Sequence, residues 1–193
     1  MSTKFEKAIE LIDNENSKDI RKESFDNKEY PKELLYSYRM TDKLLEFHPN
    51  ASDELKLAAR AQHINRWEIA RNTYSMDRVG YLKWREALKK MHADITSNLL
   101  TEVGYGSDFI DRVVFLINKK LIKKDAGSQI LEDVVCLVFL EYYFDAFSRK
   151  HDDTKLIDII KKTWNKMSGK GQEAASKLYF SDKNTLLIKH AIS

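Results

Sequence analysis

With 193 residues the chain is long enough to bury a real core and short for two large domains. Its 42% apolar and 33% charged residues, with only six glycines and two prolines, exclude a disordered polymer and favour long helices. The 33 basic against 30 acidic residues leave a net charge of +3, too little to argue for a nucleic-acid partner from bulk charge.

The opening stretch MSTKFEKAIELIDNEN is charged and amphipathic and lacks the apolar centre of a signal peptide. The spacing of Phe5, Ile9 and Ile12 predicts a first helix over residues 3 to 14. NSKDIRKESFDNKEYP reads as a polar loop, because no Asn-Gly or Asp-Gly pair joins alternating runs into a hairpin. A second helix is expected just after Pro31, with Leu34, Leu35, Tyr38 and Leu45 on the way to FHPN.

NASDELKLAARAQHINRWEIA predicts a third helix, capped by Ser52 or Asp53, with Glu54 favoured by the dipole of its first turn. It is expected to run to about Ile69. RNTYSMDRVG then reads as a loop and YLKWREALKKMHADITSNLLTEV as a long amphipathic helix stopped by Gly104 and Gly106. Ser107 or Asp108 should cap the next helix, to about Leu121. After the turn KKDAGS, QILEDVVCLVFLEYYFDAF is the most apolar element. Its longest apolar run, VVCLVFL, is about a third of the roughly 20 residues that span a bilayer. Cys136, the single cysteine, lies in that run, which excludes an internal disulfide and favours a buried, inert thiol. DTKLIDIIKKTWNKMS predicts a last long helix ending at Gly169, followed by short helical pieces. The reading is one compact, all-α, multi-helix domain, soluble and cytoplasmic, with neither a membrane nor a nucleic acid as partner.

On the third predicted helix Arg60, His63 and Trp67 are three and four residues apart and share a face. Arg85 and His92 lie seven apart on the long helix, and Gln129 and Asp133 four apart on the apolar helix, with Glu132 beside Asp133. Burying such groups unpaired costs roughly 2 to 7 kcal/mol for each neutral one, so mutual pairing is expected. Two imidazoles and a carboxylate are ligands that Mn, Fe, Ni or Zn accept, which makes His63, His92 and Asp133 a candidate metal set and Glu132 a candidate base. The alternative is that both histidines hydrogen-bond to Asp133 and Glu132 and only fix helix packing. Arg60, Arg66, Arg71, Arg78 and Arg85 are interleaved with Trp67, Tyr74, Tyr81 and Trp84, a composition suited to a phosphorylated small molecule. Here the alternative is a solvated loop whose arginines pair with Glu68, Asp77 and Glu86.

LAARAQHINRWEIAR, YSMDRVGYLKWREALKKMHAD, QILEDVVCLVFLEYYFDAF and KTWNKMS resemble the bacterial and fungal family known as domain of unknown function 4202 over nearly the whole chain. Ala70 and Ser75 stand where that family typically has proline. The order of polar residues also resembles the His-Asp metal-dependent phosphohydrolases, which implies a His-Asp-phosphohydrolase-like fold. By that resemblance His63 matches the first metal histidine and Asp133 the last metal aspartate. The superfamily's adjacent His-Asp pair has no counterpart, Trp84-Arg85 and His92-Ala93 being the nearest. The expectation is a metal-dependent phosphohydrolase with Glu132 catalytic and Arg60, Trp67, Arg71, Arg78 and Arg85 on the substrate, or a non-catalytic binding module that kept the pocket.

Overall fold

The computed structural model describes residues 2–192, and they are mostly helical. By internal contacts the chain divides into two units: residues up to 42 with 50–120, and 43–49 with 121 onward.

In the first unit α1 (Lys4–Ser17) begins with a capping box: Thr3 Oγ1 accepts from the Glu6 amide and the Glu6 carboxylate accepts from the Thr3 amide at 2.7 Å. Ala8, Ile12 and Asn16, four apart, form its buried face. The segment expected as a loop is instead a hairpin, β1 (Lys22–Phe25) against β2 (Lys28–Pro31), with Phe25 opposite Lys28. Asp26 and Asn27 both take positive φ, 48° and 60°, the type I′ geometry that Asp and Asn adopt more readily than other residues with a side chain. The reading of this segment as a loop is therefore corrected: the turn forms without the glycine it was thought to need. α2 (Lys32–Phe47) follows Pro31 directly.

α3 (Asp53–Arg60) is capped by Ser52, whose hydroxyl accepts from the Leu55 amide. It ends nine residues before the expected Ile69. Asn65 breaks the run, left-handed at φ 51°, its amide donating to Asn16 Oδ1 and its side chain to Glu15 Oε2, both on α1. Arg60, His63 and Trp67 therefore do not share a helix face. Turns and two short 3-10 segments lead to α4 (Arg78–Val103), capped by Asp77 and stopped by Gly104 at φ 88°. Gly80 sits so close to Ser75 that a Cβ would fall 2.0 Å from its carbonyl oxygen. α5 (Ser107–Ile117) packs on α3 and α4.

The second unit holds α6 (Ala126–Val138), a π turn at Phe139–Tyr143, α7 (Phe144–Ser148), α8 (Asp153–Lys166), α9 (Gly169–Ser176) and α10 (Asp182–Ile192). Its core gathers Leu137, Leu140, Phe144, Leu156 and Ile160 with Leu187 of α10, and Cys136 is buried among them. Among the described residues no helix is long and apolar enough to cross a membrane.

Candidate functional site

The first unit carries a shallow depression of about 330 Å³, open solvent included, lined by Gln62, His63, Arg66, Arg85, Leu88, Lys89, His92 and Lys119. Three pieces of chain build it. The turn that replaces the end of the expected helix supplies Gln62, His63 and Arg66. One face of α4 supplies Arg85, Leu88, Lys89 and His92 at helical spacing. The close of α5 supplies Lys119, left-handed at φ 52°.

His63 is sandwiched by specific partners. Its ring stacks on Tyr36 of α2 with centroids 3.9 Å apart, and its Nδ1 lies 3.3 Å from Glu33 Oε2. Arg66 Nη1 donates to its Nε2 at 3.1 Å. A guanidinium only donates, so Nε2 accepts and the ring proton sits on Nδ1, facing Glu33. Burial, followed by the charges of Arg66, Lys119, Arg85 and Lys32, holds the His63 pKa well below the ordinary imidazole range. His92, 3% exposed, donates from Nδ1 to the Ile64 carbonyl at 2.6 Å, and burial with the neighbouring His63 lowers its pKa to about 3. Both rings are neutral at physiological pH. Behind them Glu33, 4% exposed, accepts from Arg21 Nη2 at 3.0 Å, yet burial raises its pKa. Arg66 lies over the ring of Trp84, 4.8 Å from its centroid, and Trp84 Nε1 donates to the Ile69 carbonyl.

Of the residues singled out in the sequence, His63, Arg66, Arg85 and His92 meet in this depression, Arg85 donating also to Tyr81 Oη at 3.2 Å. Arg60 is committed elsewhere: it forks onto Asp13 at 2.6 and 2.7 Å and lies 4.3 Å from the Tyr38 ring centroid, tying α1, α2 and α3 together. Arg71 donates to the Tyr74 and Asp77 carbonyls and so holds the loop before α4. Trp67 sits partly buried in a 3-10 turn, Arg78 is exposed at the start of α4, and neither lines the depression.

Asp133 and Glu132 lie on α6 in the second unit. Asp133 accepts from the Ser168 amide at 2.7 Å, Ser168 Oγ at 2.6 Å and Gln129 Nε2 at 3.0 Å, anchoring the start of α9. Glu132 has Lys166 Nζ at 3.7 Å. Both nitrogens of His63 face partners, Nδ1 of His92 is engaged, and Asp133 accepts three hydrogen bonds from Ser168 and Gln129. Among the described residues no group of three or more His, Cys, Asp or Glu side chains is arranged to hold a metal ion. The histidines also differ from their packing alternative, their partners being Glu33 and the Ile64 carbonyl.

Glu33, Tyr36, Gln62, Lys89 and Lys119 were missed. Lys89 was within reach, four residues from Arg85 and three from His92. The others come from segments whose meeting no local spacing encodes. What the arrangement can do chemically follows from its charge: several cations around two neutral imidazoles repel a metal ion and attract an anion.

A family model described as a domain of unknown function, DUF4202, matches residues 6–188. No curated protein and no solved structure matches the chain.

Proposed function

The chain belongs to the DUF4202 family, a domain of unknown function, and from its own geometry we propose that the first unit binds a small phosphorylated anion, gripped by Arg66, Arg85, Lys89 and Lys119. The observation that carries the reading is the convergence of these four cations on one shallow depression around His63 and His92. Burial does most to lower the His63 pKa, and the charges of Arg66, Lys119 and Arg85, which lower it further, are charges an oxyanion would meet on entry. The depression suits a phosphoryl head group rather than a buried nucleotide. Arg66 over Trp84 gives the site an optical reporter.

Titration of inorganic phosphate, followed by calorimetry and by tryptophan fluorescence, tests this. Saturable binding is expected that weakens with salt and falls roughly tenfold in Arg85→Gln, as loss of one charge-assisted contact implies. Absence of saturable binding in the wild type at low salt would sink the reading.

The second reading is metal-dependent hydrolysis of a phosphoester, as the likeness to His-Asp phosphohydrolases implied. The paired imidazoles, with ring centroids 6.1 Å apart, are the feature in its favour. Stoichiometric Mn, Fe, Ni or Zn in purified protein, lost in His63→Ala and His92→Ala together with phosphoester turnover, would put it first.

A further inference from the structure

At the start of α4 the protein leaves a group of apolar side chains in solvent: Met76, Val79, Tyr81 and Leu82, four within seven residues, are each between 41% and 76% exposed. Single exposed apolar residues are ordinary, but a cluster marks an interaction surface. The same stretch is basic. Residues 71–90 hold six lysines and arginines against two acidic residues, a net charge of +4 where the whole chain has +3. The two features are interleaved: Arg78, Leu82, Arg85 and Lys89 succeed one another at spacings of four, three and four and so form one row along α4, with Val79 three residues before Leu82. Arg85 and Lys89, at the far end of the row, line the depression.

Resting on the anion-binding reading, we propose that this face of α4 docks onto the surface of an anionic phospholipid bilayer, with Met76, Val79 and Leu82 entering the headgroup boundary and the cations of the depression taking a lipid phosphate. The core of a protein–protein interface is depleted in charge, and in lysine with it, so cations set among the apolar side chains suit a protein partner poorly. A bilayer surface accepts the mixture, because its phosphates lie directly above its acyl chains and attract basic residues within the same layer. Tyr81, exposed and accepting a hydrogen bond from Arg85, is a residue type enriched at that boundary. The association is peripheral, since no described helix is long and apolar enough to cross. The expectation that a membrane is no partner rested on the lack of a spanning stretch, and docking at the surface needs none.

Co-sedimentation of the intact protein with vesicles tests this, one set of phosphatidylcholine alone and one of phosphatidylcholine and phosphatidylglycerol in equal parts. Binding to the mixed vesicles is expected, roughly tenfold or more tighter than to phosphatidylcholine, as a few cations near a charged surface imply. The double variant Val79→Ser with Leu82→Ser changes only exposed side chains, so it should fold, keep its affinity for inorganic phosphate and bind the mixed vesicles roughly tenfold more weakly. A wild type that binds inorganic phosphate but not the mixed vesicles would overturn the docking and leave the anion site standing. Equal affinity for the two vesicle types would remove the cations from the contact, and a double variant that sediments as the wild type does would remove the apolar row; either overturns the proposal. Self-association without vesicles, lost in the double variant, would assign the patch to a second copy of the chain and overturn it too. Binding of neither phosphate nor vesicles would remove the anion site and the docking together.

Discussion

At the scale of single residues, the two imidazoles make a prediction with a definite sign. His92 has a folded-state pKa of about 3 against an ordinary 6.5, and His63 is lowered too. A base depressed in this way takes its proton mainly in the unfolded chain. Above pH 6.5 these rings leave stability unchanged. As pH falls from 6.5 towards 3, His92 lowers it by up to about 1.4 kcal/mol per pH unit, and His63 acts in the same direction. Glu33 works in the opposite sense above its ordinary 4.5, since its raised carboxyl binds more protons when folded, and it offsets part of the loss. Thermal melts should therefore show a decline beginning near pH 6.5, and His92→Gln should melt lower at pH 8 but decline less steeply. A wild-type melting temperature unchanged between pH 7 and 5 would contradict the neutral, buried state assigned to both rings.

At the scale of elements, the end of α5 sets packing against function. The Lys119 amide donates to the Leu116 carbonyl at 2.8 Å and the Lys120 amide to the Phe115 carbonyl at 3.3 Å, the Schellman pattern in which glycine normally takes the left-handed position. Lys119 occupies that position at φ 52°, at a cost of about 1 kcal/mol relative to glycine. The same turn brings its side chain to the rim of the depression. Lys119→Gly is thus expected to be more stable by about 1 kcal/mol in denaturant melts and to bind phosphate more weakly. A destabilised variant would remove the strain argument, and an unchanged phosphate affinity would remove Lys119 from the site. This turn also shows why parts of the fold were illegible in the sequence. Long helices announced themselves by apolar spacing, and local chemistry offered Ser52 or Asp53 as the cap of α3 and Gly104 with Gly106 as the stop of α4. The end of α5 was placed at Leu121 because lysine does not advertise a left-handed turn. The end of α3 was placed too late because Asn65 is held by Asn16 and Glu15, partners some fifty residues away. His63, His92 and Arg85 were legible as polar residues on otherwise apolar elements. Glu33, Gln62 and Lys119 were not, since tertiary contact brings them together.

At the scale of the whole molecule, a net charge of only +3 conceals a local concentration of cations, which is why bulk composition said little about partners. The polar residues singled out in the sequence fall in both units, His63, His92 and Arg85 in the first and Glu132 and Asp133 in the second, and one substitution tests them apart. Asp133 is 1% exposed and receives three hydrogen bonds that hold Ser168 and Gln129. Gly171 lies so near that a Cβ there would fall 2.6 Å from Asp133 Oδ1, so α9 is seated directly on this carboxylate. Asp133→Ala leaves the Ser168 amide and hydroxyl without this acceptor, while Gln129 Nε2 keeps the Lys166 carbonyl, and should cost about 3 kcal/mol of stability. Phosphate affinity, measured where the variant is still folded, should match the wild type, because every group that grips the anion belongs to the first unit. Arg85→Gln should behave in reverse, with near-normal stability and weakened binding, since a partly exposed arginine contributes little to folding. That crossing pattern is what an anion site independent of Asp133 requires. If Asp133→Ala instead retained its stability and lost ligand, the carboxylate would be acting on the ligand rather than on α9, and the metal-centred reading would regain its third member.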